Sequence, residues 1–259
     1  GSLEAKLGAK IASVTSGHNV TCFDYGDDIT SIQVAKFTMP LQFLFDDIIH
    51  PMVVDQRHEP FNEKYLQRIE GVLCNALQDH PQTTVIRVDL HLPEAGDVGD
   101  SIVSDADLSP GLMSRFIDSL KAQIVAYRQR KAREGKRCHR SSVRYVWVLE
   151  QPELGGKKHY HMALFLNTDT FNALGSYDEQ GKGLASLVQK AWLTAMKKRD
   201  WPEYLTLVHF VDNPLAFLEL NKPEFMDKLN ALTFRLSYMA KHRTKRYSSA
   251  ERSFGCSQG

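Results

Sequence analysis

Lys158-His159-Tyr160-His161-Met162-Ala163-Leu164-Phe165-Leu166-Asn167 sets two histidines one residue apart at the head of an apolar run. Side chains alternate across a strand with period 2, so as a strand this stretch carries His159, His161, Ala163 and Phe165 on one face. Upstream, Arg144-Tyr145-Val146-Trp147-Val148-Leu149-Glu150 is rich in β-branched and aromatic residues and reads as a second strand. Gly155-Gly156 between them suits a two-residue hairpin turn. A turn placed there sets Glu150 opposite His161, and a slip by two sets it opposite His159. Either register puts a carboxylate across from a histidine on one face. Pro152 loosens the regular pairing in between. Two imidazoles one pleat apart can grip one divalent ion, and with a single carboxylate they leave the open positions that a catalytic metal needs. Glu153 lies close enough in sequence to compete with Glu150 as third ligand. A lone His-x-His is a weak signal that a solvated strand face also produces; the facing carboxylate is what strengthens it.

Working outward, Thr83-Thr84-Val85-Ile86-Arg87-Val88-Asp89-Leu90-His91-Leu92 alternates strictly. Ile86, Val88, Leu90 and Leu92 face one way, and Arg87, Asp89 and His91 the other, the pattern of a strand with one polar face. If this strand joins the histidine hairpin in one sheet, Asp89 and His91 become second-rank site residues and Asp89 a further alternative for third ligand. Helical periodicity covers 41–54 and 62–77, the latter with Asn62 as N-cap. It returns over 109–133, with Ser109 capping and Pro110 in the first turn, and over 184–199. Residues 168–183 read as a polar loop, and 204–211 as a strand. The order strand, helix, strand, strand, helix, strand, helix predicts an α+β fold, an antiparallel sheet with helices packed mainly on one face, over 81–259. Residues 1–80 are expected to be an accessory region, partly helical.

The last helix is expected over 223–246, with Asn221 as N-cap and Pro223 in the first turn. Phe225, Leu229, Leu232, Leu236 and Met239 form its apolar stripe. Tyr238, Lys241 and Lys245 stack on the opposite side. A phenol beside an ammonium or a metal has its phenolate favoured and becomes a better nucleophile.

The net charge of +1 conceals a split: residues 1–120 hold 8 basic against 18 acidic side chains, leaving 32−8 = 24 basic against 31−18 = 13 acidic in the remainder. That asymmetry predicts a nucleic-acid surface on the C-terminal half. Its densest run contains Arg128, Arg130, Lys131, Arg137, Arg140 and Arg144, and a second run with Lys241 and Lys245 flanks Tyr238. Both are expected to converge on the histidine site and hold phosphates. Cys22, Cys74, Cys138 and Cys256 show no C-x-x-C spacing and read as reduced thiols of a cytoplasmic protein. No eighteen-residue apolar stretch and no opening signal sequence are present, so no membrane partner is expected. Gly1-Ser2 reads as a cloning remnant.

Taken together, the His-hydrophobic-His strand and the later Tyr-x-x-Lys segment resemble the HUH endonuclease superfamily in its single-tyrosine replication-initiator branch. Arg235-Leu236-Ser237-Tyr238-Met239-Ala240-Lys241 and the closing Arg252-Ser253-Phe254-Gly255-Cys256-Ser257 are similar to replication proteins of filamentous phages (inoviruses) and related prophage elements. The resemblance covers roughly the C-terminal half. It implies a ferredoxin- or RRM-like HUH palm in which His159 and His161 hold Mg²⁺ or Mn²⁺ with Glu150 as third ligand. It implies Tyr238 as nucleophile, with Lys241 activating it or positioning phosphate. The implied activity is site-specific nicking and joining of single-stranded DNA or an origin hairpin through a covalent phosphotyrosine, initiating rolling-circle replication. No G-x-x-x-x-G-K-[ST] loop occurs, so unwinding would fall to a host helicase. Two rivals remain: a DNA-binding regulator that keeps the fold without catalysis, and a non-haem iron enzyme built on the same donors.

Overall fold

The computed structural model of the protein describes residues 61–93, 106–150, 158–175, 183–241 and 253–258. In chain order these form α1 (Glu63–Asp79), β1 (Gln82–His91), α2 (Leu112–Arg133), β2 (Arg144–Glu150) and β3 (His159–Asn167). There follow α3 (Leu184–Ala195), a 3₁₀ helix (Pro202–Leu207), β4 (Val208–Glu219), α4 (Phe225–Ser237), a 3₁₀ turn (Tyr238–Ala240) and β5 (Phe254–Cys256). The strands make one sheet in the order β4-β1-β3-β2-β5, antiparallel at every pairing. This is the expected antiparallel α+β architecture.

The helices divide between both faces of the sheet rather than gathering mainly on one. Ile86, Val88, Leu90, Trp147, Leu149, Met162 and Leu164 face α2 and α3, where Phe116, Leu120 and Trp192 fill the core. Val85, Val148, Ala163 and Phe165 face α1 and α4 through Leu73, Leu77, Leu229, Leu232 and Leu236. Each large apolar side chain removed from water in these layers contributes about 1.5–3 kcal/mol. Two-sided cover explains β1, whose interior residues are buried on both faces although its sequence alternates. It also brings α1, which falls within the span read as accessory, onto the sheet, with its Asn62 cap holding the Tyr65 N–H at 3.2 Å as expected.

Several element ends differ from the sequence reading. Ser109 does not cap α2: its N–H and hydroxyl both donate to Asp107 Oδ1, and the helix starts after Gly111, whose φ of 89° lies in the left-handed region. The strand expected from 204 begins only at Val208, because residues 202–207 close a 3₁₀ helix behind Pro202. It then runs on through Pro214, which is tolerated because β4 is an edge strand. Asn213, at φ 50°, sits near a break in the β1–β4 register. Phe171 and Leu174, in the stretch read as a loop, are core residues. β5 was not expected at all; Gly255 packs on Trp147 so closely that a Cβ would lie 2.4 Å from Cε2.

Candidate metal centre and adjoining tyrosine

The sheet register brings the polar side chains of four strands into two rows on the face shared with α4. One row pairs His91 with His159 and His159 with Glu150; the next pairs His209 with Asp89 and Asp89 with His161. Of the two hairpin registers considered, the one with Glu150 opposite His159 holds. The turn itself, with Pro152, Glu153 and Gly155-Gly156, lies outside the described residues, as do Lys245 and Cys22.

Glu150 is buried at the end of β2, and its Oε2 meets His161 Nε2 and lies 3.8 Å from His159 Nε2. The two Nε2 atoms are 3.3 Å apart. On the other side of the ring, His161 Nδ1 is 2.7 Å from Asp89 Oδ1. A carboxylate there accepts a hydrogen bond from Nδ1–H and leaves the Nε2 lone pair toward Glu150 and His159. Electron-rich atoms so close together repel unless positive charge lies among them. Burial lowers the proton affinity of His161, but its bonds to Asp89 and Glu150 outweigh this and push its pKa above the ordinary value. Burial tends to raise Asp89, yet the His161 bond together with the charges of His161, Arg87 and His159 outweighs it and holds the carboxyl below its usual range.

A divalent cation meets the same demand. Cis donors on an octahedron of ~2.1 Å bonds are about 3.0 Å apart, close to the spacing of the two Nε2 atoms. Asp89, His159 and His161 also present donor atoms all within 4.8 Å of one another. The donor set therefore fits an imidazole–carboxylate metal site. Glu150 stands on the Nε2 side, while Asp89 stands on the Nδ1 side, where it orients the ring. His91 stacks on His159 with centroids 4.9 Å apart, and His209 meets His91 edge-on. Burial and then the neighbouring His159 push the His91 pKa down.

Tyr238 does not lie on a continuous helix with Lys241. α4 stops at Ser237, the chain tightens into the 3₁₀ turn, and Lys241 is extended, bridged to Phe61. The pair nevertheless meets: Lys241 Nζ lies 4.6 Å from the centre of the Tyr238 ring. Neither Asn221 nor Pro223 starts α4, which has Glu224 at its N-cap. Tyr238 is 52 % exposed and lines a cavity of about 450 Å³ with Arg87, Arg235, Lys241, Asp212 and Phe234. Arg87 connects this cavity with the histidines: its Nη2 is 3.9 Å from the Asp89 oxygen that contacts His161.

The first basic run does not converge on this site. Arg128, Arg130 and Lys131 lie toward the end of α2, a helix that covers the opposite sheet face. Arg144 opens β2 six residues before Glu150, roughly 20 Å along the strand, and pairs with Asp79 at 2.7 Å. Arg128, Arg140, Arg144 and Lys121 line a separate cavity of about 550 Å³, and Arg137 is exposed nearby. The sequence reading missed Arg87 and His209 as site residues; the only signal was their place on the polar face of strands joined to the hairpin.

The chain belongs to the family described as the YagK/YfjJ C-terminal domain, which residues 50–257 match. It is 38% identical over 196 residues to the uncharacterized protein YagK of Escherichia coli (strain K12), covering 75% of this chain and 92% of that protein. It is 31% identical over 197 residues to the uncharacterized protein YfjJ of the same strain, covering 75% and 94%. No solved structure matches. Among the described residues, no helix is long and apolar enough to cross a membrane, and Cys74, Cys138 and Cys256 are free thiols.

Proposed function

We propose that this protein is a DNA-nicking and strand-joining enzyme of the HUH type. In this reading it acts on single-stranded DNA or an origin hairpin to start rolling-circle replication of a phage or prophage-like element in the cytoplasm, with a host helicase unwinding the duplex. The observation that carries the reading is the adjacency of two features: Arg87, which lines the tyrosine cavity, lies 3.9 Å from Asp89 of the imidazole–carboxylate cluster.

His159, His161 and Glu150 would hold Mg²⁺ or Mn²⁺, which supplies Lewis acidity toward a phosphate oxygen. Asp89 fixes the His161 tautomer. Tyr238 Oη attacks phosphorus as its proton passes to solvent, to which the side chain is open. The P–O3′ bond breaks in line, and the departing oxygen takes a proton from water to become a free 3′-hydroxyl. The strand's 5′ phosphate stays on the tyrosine, and attack by a 3′-hydroxyl reverses the sequence and rejoins DNA. Lys241, whose Nζ lies over the phenol ring, draws the phosphate in.

A labelled random-sequence single-stranded DNA library incubated with protein and Mn²⁺ tests the proposal. A denaturing gel should show a covalent adduct that chelator abolishes and Tyr238→Phe lacks. An adduct of equal yield in Tyr238→Phe rejects the assignment. A second reading, a DNA-binding regulator without catalysis, draws on the basic cavity at the start of β2, which needs no metal. It is favoured if binding survives His159→Ala with His161→Ala and no adduct forms under any metal.

A further inference from the structure

Arg87 lies on β1, an interior strand of the sheet, only 9 % exposed, where an arginine is expected only with its charge and donors matched. They are not. Its nearest acidic oxygen, Asp89 Oδ1, is 3.9 Å from Nη2, beyond hydrogen-bond reach, and already faces His161 at 2.7 Å. Nη1 is buried and has no hydrogen-bond partner among the described residues. A guanidinium keeps its charge at every pH of interest and carries five N–H donors in a rigid fork. A buried donor left unmatched costs free energy comparable to a lost hydrogen bond, and more when the group is charged.

The side chain lines the cavity that also holds Tyr238, Arg235 and Lys241, with Asp212 as the acidic residue of its wall. Arg235 is fixed there by donating to the Asn213 carbonyl at 2.9 Å and more weakly to that of Asp212. Among the described residues, three cations thus surround a space of about 450 Å³ against one carboxylate, and ligand sites run about 300–1,000 Å³. A guanidinium fork matches two oxygens of one phosphate.

We propose that Arg87 is the anchor of an oxyanion site that takes one phosphate group of a nucleic-acid strand and presents it beside Tyr238. The anion site stands on the unmatched Nη1 and the cationic cavity alone; its assignment to a strand rests on the proposed nicking function. Arg87 binds the phosphate directly, while Arg235 and Lys241 draw it in from the rim.

The test uses the full chain in chelator, so that no metal contributes. Inorganic phosphate, against chloride of equal ionic strength, should raise the wild-type melting temperature by about 3 °C or more at saturation. Arg87→Met should melt cooperatively with no phosphate-dependent rise, and Arg87→Lys, which keeps charge but loses the fork, should keep less than half of it. Should Arg87→Met fail to fold, Arg235→Gln with Lys241→Gln must cut the rise at least by half. In the second arm, a labelled thymidine oligonucleotide should bind Arg87→Met about tenfold more weakly than wild type, with a salt slope shallower by about one phosphate contact. An equal phosphate rise in wild type and Arg87→Met, or none in wild type, overturns the anion site. An Arg87-dependent phosphate rise with unchanged oligonucleotide binding overturns the assignment to a strand. Tyr238→Phe should keep the phosphate rise whichever way the adduct assay falls, which separates this site from the nicking chemistry.

Discussion

Asp89→Asn changes one atom of the carboxylate that contacts His161 Nδ1 at 2.7 Å, and its effect should reach the metal through the ring. With Asp89 ionised, the imidazole proton sits on Nδ1 and Nε2 offers its lone pair toward Glu150 and His159. An asparagine whose amide donates to Nδ1 drives the proton to Nε2, the nitrogen that should ligate. Even with its carbonyl presented, the ring is less basic. Loss of such an orienting partner costs about 10–100-fold in metal affinity, or about 1.4–2.8 kcal/mol. Mn²⁺ titration followed by the electron paramagnetic resonance of free ion reads the affinity, and ¹⁵N chemical shifts of His161 read the tautomer. Since Asp89 is also the nearest carboxylate to Arg87, apo melting is run alongside to confirm the fold. The expected result is weakening within that range together with a shifted tautomer population. Affinity within twofold of wild type and an unchanged tautomer would refute the orienting role.

In chelator, the raised pKa of His161 sets a sign: protonated His161 stabilises the folded state fully below its unfolded value near 6.5, and the gain is lost as pH rises through the folded value. Urea unfolding should therefore show the gap between wild type and His161→Gln narrowing with rising pH, and widening instead when Mn²⁺ is present, because ligation needs the neutral ring. Gly255→Ala places a methyl within 2.4 Å of Trp147 and should cost about 1–3 kcal/mol by thermal melting, with no change in Mn²⁺ affinity per folded molecule. Arg137→Gln with Arg140→Gln, both exposed, should weaken oligonucleotide binding alike across sequences and lower the salt slope by about two contacts, while Mn²⁺ binding stays as it was.

The sheet was legible where local pattern and neighbour pairing agree. Residues 144–150 and 159–167 announce a hairpin by β-branched and aromatic content, and the strict alternation of 83–92 announces its neighbour. The faces were not legible. Arg87, Asp89 and His91 read only as a polar strand face, because polar letters look the same in water and in a buried network, and the positions of α1 and α4 decide between them. The Tyr238–Lys241 pairing was expected from helical spacing, but arises from a 3₁₀ turn and an extended residue tied to Phe61, a long-range contact without a local signal. β5, three residues long, pairs with β2 and seats one glycine against the Trp147 ring, too short a stretch to carry a pattern of its own. The basic run was visible as charge, but which end of β2 it occupied depended on the fold.

Peptide mass spectrometry of protein incubated with single-stranded DNA and Mn²⁺, then digested with nuclease and protease, tests the central claim most directly. Nicking by Tyr238 leaves a nucleotide joined through phosphate to the peptide bearing Tyr238, absent when chelator replaces the metal. A nucleotide on any other residue, or an unmodified Tyr238 in a sample whose DNA has been cut, would contradict it.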